Sequence, residues 1–172
     1  EEVAVREALS GDGGCLFVPV EVGDRTVHVQ VWHVQVGRTH LYLMDADHEQ
    51  NAPWDRELTA RLYGGDQEMR IQQEIMLGIG GIRALEALDL RPTVCHMNEG
   101  HSSFLTLGLL EEHRNGNGLA KLEKDDLDAV RSRCIFTTHT PVPAGHDKFS
   151  MEMVREVLGD ERARFLSLHG CC

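Results

Sequence analysis

The chain has 172 residues, of which 41% are hydrophobic, so it can bury a core of about one domain. Its formal net charge is -11, from 28 acidic and 17 basic residues, which argues against nucleic acid or an anionic membrane surface as a partner. The sequence holds no apolar run long enough to cross a bilayer and does not open with a signal peptide. We therefore expect a cytoplasmic protein that binds a neutral ligand.

The first predicted elements are β-strands, which follow a short polar lead and a glycine-rich loop at 11–14. Three segments rich in valine and aromatic residues are separated by two glycine-containing pairs typical of hairpin turns. The segments are Leu16–Val22, Thr26–Val36 and Thr39–Met44. They predict an antiparallel meander over residues 16–45 with one face in solvent. The valine alternation changes parity after Val31, which predicts a bulge or a twist near Trp32.

The strongest helical pattern of the chain lies over Gln67–Leu88. Isoleucine recurs there at spacings of three and four residues, which places one apolar stripe along a helix. Gly78, Gly80 and Gly81 fall inside this helix, where each costs about 1 kcal/mol relative to alanine. A helix keeps such glycines where another backbone comes close, so we expect tight packing on a neighbouring strand.

Two later strands are each followed by polar residues. One strand is predicted just before Asn98 and Glu99, and another over Cys134–Thr138, just before His139. Two helical segments connect these strands, so the strands should be parallel neighbours in one sheet. Ligands bind at the carboxyl ends of strands in an open parallel sheet, so the polar residues predict a binding site. We expect this α/β part to span residues 55–158.

A metal site is one alternative for the same residues. His96, Glu99 and His101 resemble the inverted H-x-x-E-H zinc pattern of metalloproteases. That pattern needs a helix to bring its ligands to one face, whereas His96 lies in a predicted strand and His101 lies beyond a turn. A metal-dependent hydrolase is therefore a distant alternative, and we expect no metal site.

Three further polar residues near these motifs have structural interpretations. Asn98 is expected to cap the helix that follows it, because asparagine is a favoured N-cap residue. Arg70 and Glu74 lie four residues apart near the start of the long helix, so we expect them to be structural ion-pair partners.

Three segments of the chain resemble the α-glucan (glycogen) phosphorylase family, and more closely its shorter bacterial and archaeal branch. They occur in the family's order, and the similarity runs from about residue 16 to about residue 158. The segments are LYGGDQEMRIQQE at 62–74, HMNEGHS at 96–102 and FTTHTPVPAGH at 136–146.

The resemblance implies a fold and an activity. The fold is the glycosyltransferase-B architecture, in which the active site lies between two Rossmann-like domains. The activity depends on pyridoxal 5'-phosphate (PLP), and it removes terminal α-1,4-linked glucose from a glucan with inorganic phosphate to give glucose 1-phosphate. The intact enzyme is expected to be a homo-oligomer.

The resemblance also implies roles for three residues beside the predicted strands. The histidine that matches His139 hydrogen-bonds the glucose unit being transferred. The residues that match Glu99 and His101 line the adjoining acceptor sugar subsite. Many members of the family have Asp-Thr-His-Pro where this chain has Glu-Gly-His-Ser at 99–102.

In the family, the PLP lysine and the phosphate-binding basic residues lie downstream of the part that this chain resembles. We therefore expect residues 1–172 to be part of an amino-terminal glucan-binding domain, without the carboxyl-terminal PLP domain. Such a chain would hold no catalytic residue and no cofactor site, and it would be inactive alone. The alternative is a non-catalytic sugar-binding module.

Overall fold

The structure is a computed structural model, and it describes residues 4–61, 64–115, 117–140, 142 and 147–169. The strands are β1 Val5–Glu7, β2 Phe17–Val22, β3 Arg25–Val36, β4 Thr39–Asp45, β5 Cys95–Asn98 and β6 Cys134–Thr137. The α-helices are α1 Pro53–Arg56, α2 Gln67–Ile75, α3 Gly81–Ala87, α4 Leu105–Arg114, α5 Lys124–Ser132 and α6 Met151–His169. Shorter turns of helix are the 3-10 turns Glu57–Thr59 and Gly100–Ser102 and the π-helical turn Met76–Gly80. The fold is mixed α/β, and no described helix is both long and apolar enough to cross a membrane.

Strands β1 to β4 form one antiparallel sheet in which β3 is central. β4 pairs with one edge of β3, while β2 and β1 pair with successive parts of the other edge. The three predicted strands agree with β2, β3 and β4 to within one residue at each end, so the meander is confirmed.

Two details of this sheet differ from the prediction. The pairing of β3 with β4 runs without interruption through Trp32, so a bulge there is wrong and a twist stays a prediction. The valine alternation changes parity because Val31 and Val34 are buried on opposite faces of the strand. Strand β1 lies in the polar lead, where no strand was predicted, because its three residues are all exposed and carry no hydrophobic alternation.

One part of the main core lies between this sheet and α2. Val20 and Val27 are paired across β2 and β3, and both are buried in one cluster with Ile71 and Ile75 of the helix. The isoleucine stripe therefore faces the sheet, as its spacing predicts. Helix α2 begins at Asp66, whose carboxylate accepts a hydrogen bond from the N–H of Met69 at 3.0 Å.

The glycines of the long helix lie where other elements come close. A Cβ atom at Gly78 would lie 2.6 Å from the backbone nitrogen of Leu105, at the start of α4. A Cβ atom at Gly80 would lie 3.0 Å from Cγ2 of Val20 in β2. The expected close packing is confirmed, and it involves a helix as well as a strand. Gly81 has no such neighbour within 4 Å.

Strands β5 and β6 form a separate parallel pair, and α4 and α5 lie in the crossover between them. This is the topology that the order of elements predicts. Cys95 and Met97 of β5 are buried, whereas Ile135 and Phe136 of β6 are 52% and 53% exposed. The described residues therefore cover β5 far better than β6.

Candidate functional site

The carboxyl ends of β5 and β6 meet at one edge of the parallel pair. Asn98 ends β5 and is paired with Thr137, which ends β6. The N–H of Glu99 donates to the carbonyl oxygen of Thr137 at 2.8 Å, which extends the pairing by one residue. Glu99 then adopts φ +63° and ψ -175°, a backbone conformation that residues other than glycine rarely take. The chain turns there into the 3-10 turn Gly100–Ser102.

The carboxylate of Glu99 holds the segment that follows β6. Glu99 is only 8% exposed, and its Oε1 accepts hydrogen bonds from the backbone N–H of His139 and, at 2.9 Å, from that of Thr140. The hydroxyls of Thr138 and Thr140 also donate to this carboxylate, at 3.1 and 3.3 Å. The N–H of His139, followed by the threonine donors, holds the pKa of Glu99 below its ordinary value, because these bonds stabilise the charged form. Glu99 is therefore an ionised carboxylate with four donors from a single segment.

The imidazole of His139 is exposed at the same edge, beside Asn98. Nε2 of His139 lies 2.7 Å from Oδ1 of Asn98. Two residues earlier on each strand, Nε2 of His96 lies 2.6 Å from Oγ1 of Thr137. His96 and Asn98 are two residues apart on a strand, so both side chains lie on its exposed face and reach across to β6.

The expected capping role of Asn98 is wrong. The N-cap position of α4 is Phe104, and no side chain caps that helix. A 3-10 turn separates Asn98 from α4, so its amide is too early in the chain to reach the first helical N–H groups and bonds His139 instead.

His101 lies among residues of α2 and of the segment that precedes α6. Its Nδ1 is 3.9 Å from Oε1 of Glu74 and 3.7 Å from Oδ2 of Asp147. Arg70 forms an ion pair with Asp147, whereas the ion pair expected between Arg70 and Glu74 stays a prediction. Burial raises the pKa of Glu74 from 4.5 to about 8, and the nearby Asp147 adds to this increase, whereas the charge of Arg70 opposes it.

His101 also borders a cavity of about 560 Å³, whose apolar side chains come mainly from β4, the π-helical turn and α3, while α2 contributes polar ones. Arg70 and Glu74 belong to the same wall, whereas Glu99 and His139 do not. The structure thus brings Glu99 and His139 into direct contact, and it gives His101 a different set of neighbours.

The metal-hydrolase alternative is not supported by this geometry. Among the described residues, His96, Glu99 and His101 do not form a group of possible metal ligands; the group that does form is Glu74, His101 and Asp147. Arg70 already supplies a positive charge to that group through its ion pair with Asp147. The pattern fails because the turn after Glu99 directs His101 towards α2, while His96 bonds across to Thr137.

Asn98 is the functional candidate whose contact the sequence interpretation missed. The alternation of β5 held the necessary signal, because Cys95 and Met97 are apolar whereas His96 and Asn98 are polar. Two polar residues on one face at the end of a parallel strand would have indicated a contact with the neighbouring strand end. The contact with His139 spans 41 residues of sequence, so no local pattern specifies it.

Comparison with known proteins gives three informative relatives. Maltodextrin phosphorylase of Thermococcus litoralis is 43% identical over 166 residues, which cover 96% of this chain and 19% of that protein. Glycogen phosphorylase of Mycobacterium tuberculosis is 45% identical over 165 residues, which cover 92% of this chain and 19% of that protein. Glycogen phosphorylase of Aquifex aeolicus is 36% identical over 157 residues, which cover 91% of this chain and 22% of that protein. No protein-family model matches the chain.

These similarities define the class of protein as the phosphorylases. Within that class, the chain belongs to the glycogen and maltodextrin phosphorylase family, and the resemblance drawn from the three motifs is confirmed. The chain spans about one fifth of the length of the relatives that it matches.

Proposed function

We propose that this chain is part of the glucan-binding half of an α-glucan phosphorylase with the glycosyltransferase-B architecture. The intact enzyme would transfer terminal α-1,4-linked glucose from a glucan to inorganic phosphate and release glucose 1-phosphate. The similarity to phosphorylases over more than nine tenths of the chain supports this proposal. The parallel β5–β6 pair, with its helical crossover, would belong to a Rossmann-like domain.

His139 is the residue proposed to contact the glucose unit that is transferred. Its imidazole is exposed at the carboxyl ends of two parallel strands, where ligands of such sheets bind. A sugar hydroxyl can donate a hydrogen bond, so the imidazole can bind it through Nδ1, the ring nitrogen that does not face Asn98. The exposed and oriented imidazole of His139 is the single observation that carries the proposal.

Glu99 and His101 are proposed to form the wall of the adjoining acceptor subsite. His101 has 29% of its side chain exposed and borders a cavity, so it has a surface that a sugar can reach. Glu99 is buried and its carboxylate faces the segment after β6. Its place in the wall is therefore structural, since it fixes the backbone that presents His139.

The residues of this chain do not fit the site of the family's cofactor, PLP. A lysine that forms an internal Schiff base must lie in a partly desolvated setting that lowers its pKa. The three lysines of the chain, Lys121, Lys124 and Lys148, are all exposed. The cofactor is therefore assigned to a part of the enzyme outside these residues, and none of the roles proposed here passes through it.

The test is a substitution in an intact phosphorylase that contains this segment. His139→Ala is expected to lower kcat/KM by about 10²-fold, because a hydrogen bond to the transferred group is lost. The matched control is His40→Ala, since His40 is an exposed histidine of β4 that bonds His33 on the antiparallel sheet. An unchanged rate in a folded His139→Ala enzyme would remove this histidine from the site.

Assays on the purified chain distinguish a segment of a phosphorylase from a non-catalytic sugar-binding module. With maltodextrin, phosphate and added PLP, we expect no release of glucose 1-phosphate and only millimolar or weaker sugar affinity. Release of glucose 1-phosphate by the chain alone would show that it contains the catalytic groups. Micromolar sugar binding without turnover would favour the module.

A further inference from the structure

We propose that Asn98 and Glu99 are a pair of positioning residues that fix His139, one through its imidazole and the other through its backbone. They are consecutive residues at the end of β5, and both reach across to the segment after β6. The inference rests on the proposed function, because it takes His139 to be the residue that contacts the transferred sugar.

The contact with Asn98 selects one tautomer of His139. Oδ1 of Asn98 is an acceptor only, and it lies 2.7 Å from Nε2 of His139, so the ring must carry its proton on Nε2. In the neutral imidazole, Nδ1 then keeps its lone pair. His139 therefore presents an acceptor, which binds a ligand group that can donate, such as a sugar hydroxyl.

Glu99 fixes the backbone from which this imidazole projects. Its Oε1 accepts from the N–H groups of two successive residues, His139 and Thr140, and the Thr138 hydroxyl donates to Oε2. A charged acceptor makes stronger hydrogen bonds than a neutral one, so this segment is held more firmly than by a turn alone.

The backbone of Glu99 shows that its side chain is placed for this contact. A φ of +63° is unfavourable for a residue with a Cβ, and glycine would adopt it freely. The position nonetheless carries a carboxylate, which lies among four donors of the neighbouring segment. Strained backbone of this kind persists where the surrounding contacts determine it, and such positions are concentrated at functional sites.

Substitution of His139 itself would not distinguish the two contacts, whereas Asn98 and Glu99 can be tested one at a time. Asn98 acts on the ring and Glu99 acts on the main chain, so each can be removed while the other remains. Loss of Asn98 frees the ring to rotate and to exchange its proton between the two nitrogens. Loss of the Glu99 charge loosens the N–H groups of His139 and Thr140 but leaves the amide of Asn98 in place.

The first test is the tautomer of His139, measured by nitrogen NMR on the histidine-labelled 172-residue chain at a pH where its imidazole is neutral. We expect the Nε2–H form, and we expect Asn98→Ala to give a mixture of both forms. Asn98→Asp keeps an acceptor oxygen and should restore the Nε2–H form. His96 is the internal control, since its ring bonds Thr137 and should not respond to these substitutions. An Nδ1–H form of His139, or a tautomer that ignores Asn98→Ala, would overturn the role of Asn98.

The second test is amide hydrogen exchange in the same chain. The N–H groups of His139 and Thr140 should be protected, and Glu99→Gln should make both exchange about tenfold faster, because the charged acceptor is replaced by a neutral amide. Asn98→Ala should leave this protection unchanged. If Glu99→Gln does not fold, Thr138→Val removes one hydroxyl donor and should give a smaller acceleration in the same two groups. Equal exchange in wild type and both variants would overturn the role of Glu99.

Neither measurement needs a glucan, a cofactor or catalytic turnover. A wrong tautomer or unprotected N–H groups would therefore refute the positioning pair without touching the phosphorylase proposal. Conversely, the NMR and exchange results could agree with the positioning pair while the His139→Ala enzyme stays fully active. That outcome would support the positioning pair and refute the proposed contact of His139 with the sugar.

Discussion

The antiparallel sheet and the parallel pair differ in how completely the described residues cover them. In the antiparallel sheet, Val20 and Val27 are fully buried beneath α2. In the parallel pair, β6 leaves Ile135 and Phe136 about half exposed, while polar side chains crowd the carboxyl ends. The buried valines of the antiparallel sheet thus belong to the core, whereas the candidate residues lie at the exposed ends of the parallel pair.

The largest expected difference comes from removing one apolar side chain in each region. Ile75→Ala, at a fully buried position of α2, should lower the free energy of unfolding by about 2–5 kcal/mol, because it removes buried methyl groups and leaves a cavity. Ile135→Ala, at a half-exposed position of β6, should lower it by less than about 0.5 kcal/mol. Urea unfolding of both variants measures the difference. An equal loss in the two variants would show that β6 is buried in solution, and the contrast between the regions would be false.

A smaller effect is expected where the long helix meets α4. Gly78→Ala places a Cβ 2.6 Å from the nitrogen of Leu105 and 2.8 Å from the carbonyl carbon of Phe104, so α4 must shift. Overpacking of this kind costs about 1–3 kcal/mol. Gly81→Ala, at the first residue of α3, is the matched control, because nothing lies within 4 Å of its Cβ, and it should stabilise the helix by about 0.5–1 kcal/mol. The thermal unfolding temperature should therefore fall in Gly78→Ala and rise in Gly81→Ala. A shift in the same direction in both variants would contradict the close contact at Gly78.

The sequence predicted the first region better than the second, for a physical reason. The alternation at Val27, Val29 and Val31 and the isoleucine stripe of α2 are local patterns that follow from the periods of strands and helices. The contact between Asn98 and His139 depends on the register of two strands that lie far apart in the chain.

Local sequence patterns predicted some contacts of the site residues and not others. The sequence placed Glu99 and His139 at the ends of neighbouring strands, and the structure joins them. It did not predict that the positive φ of Glu99 turns the chain so that His101 faces Glu74 instead. Backbone strain of this kind has no hydrophobic signature, so only the folded geometry reveals it.

A pH-dependent effect on stability is expected at Glu74, which lies where α2 meets the turn after β5. Its pKa is raised from 4.5 to about 8, chiefly by burial and then by the adjacent Asp147, while Arg70 opposes the increase. Between these two pH values the folded state binds one proton more than the unfolded state, so stability should fall as the pH rises. The slope from this group is about 1.4 kcal/mol per pH unit, and the stabilisation is complete only below the lower value.

Glu74→Gln should remove this slope, because a glutamine is neutral at every pH and keeps the size of the protonated acid. Glu152→Gln, at an exposed position of α6, is the matched control and should leave the slope as in the wild type. Denaturant unfolding at intervals from pH 5 to pH 8, a range set by the two pKa values, measures all three proteins. If the slope survives in Glu74→Gln, the proton is held by another member of the cluster, with His101 and Asp147 the neighbours to examine. In that case Glu74 would be ionised at neutral pH, and its contact with His101 would be an ordinary ion pair.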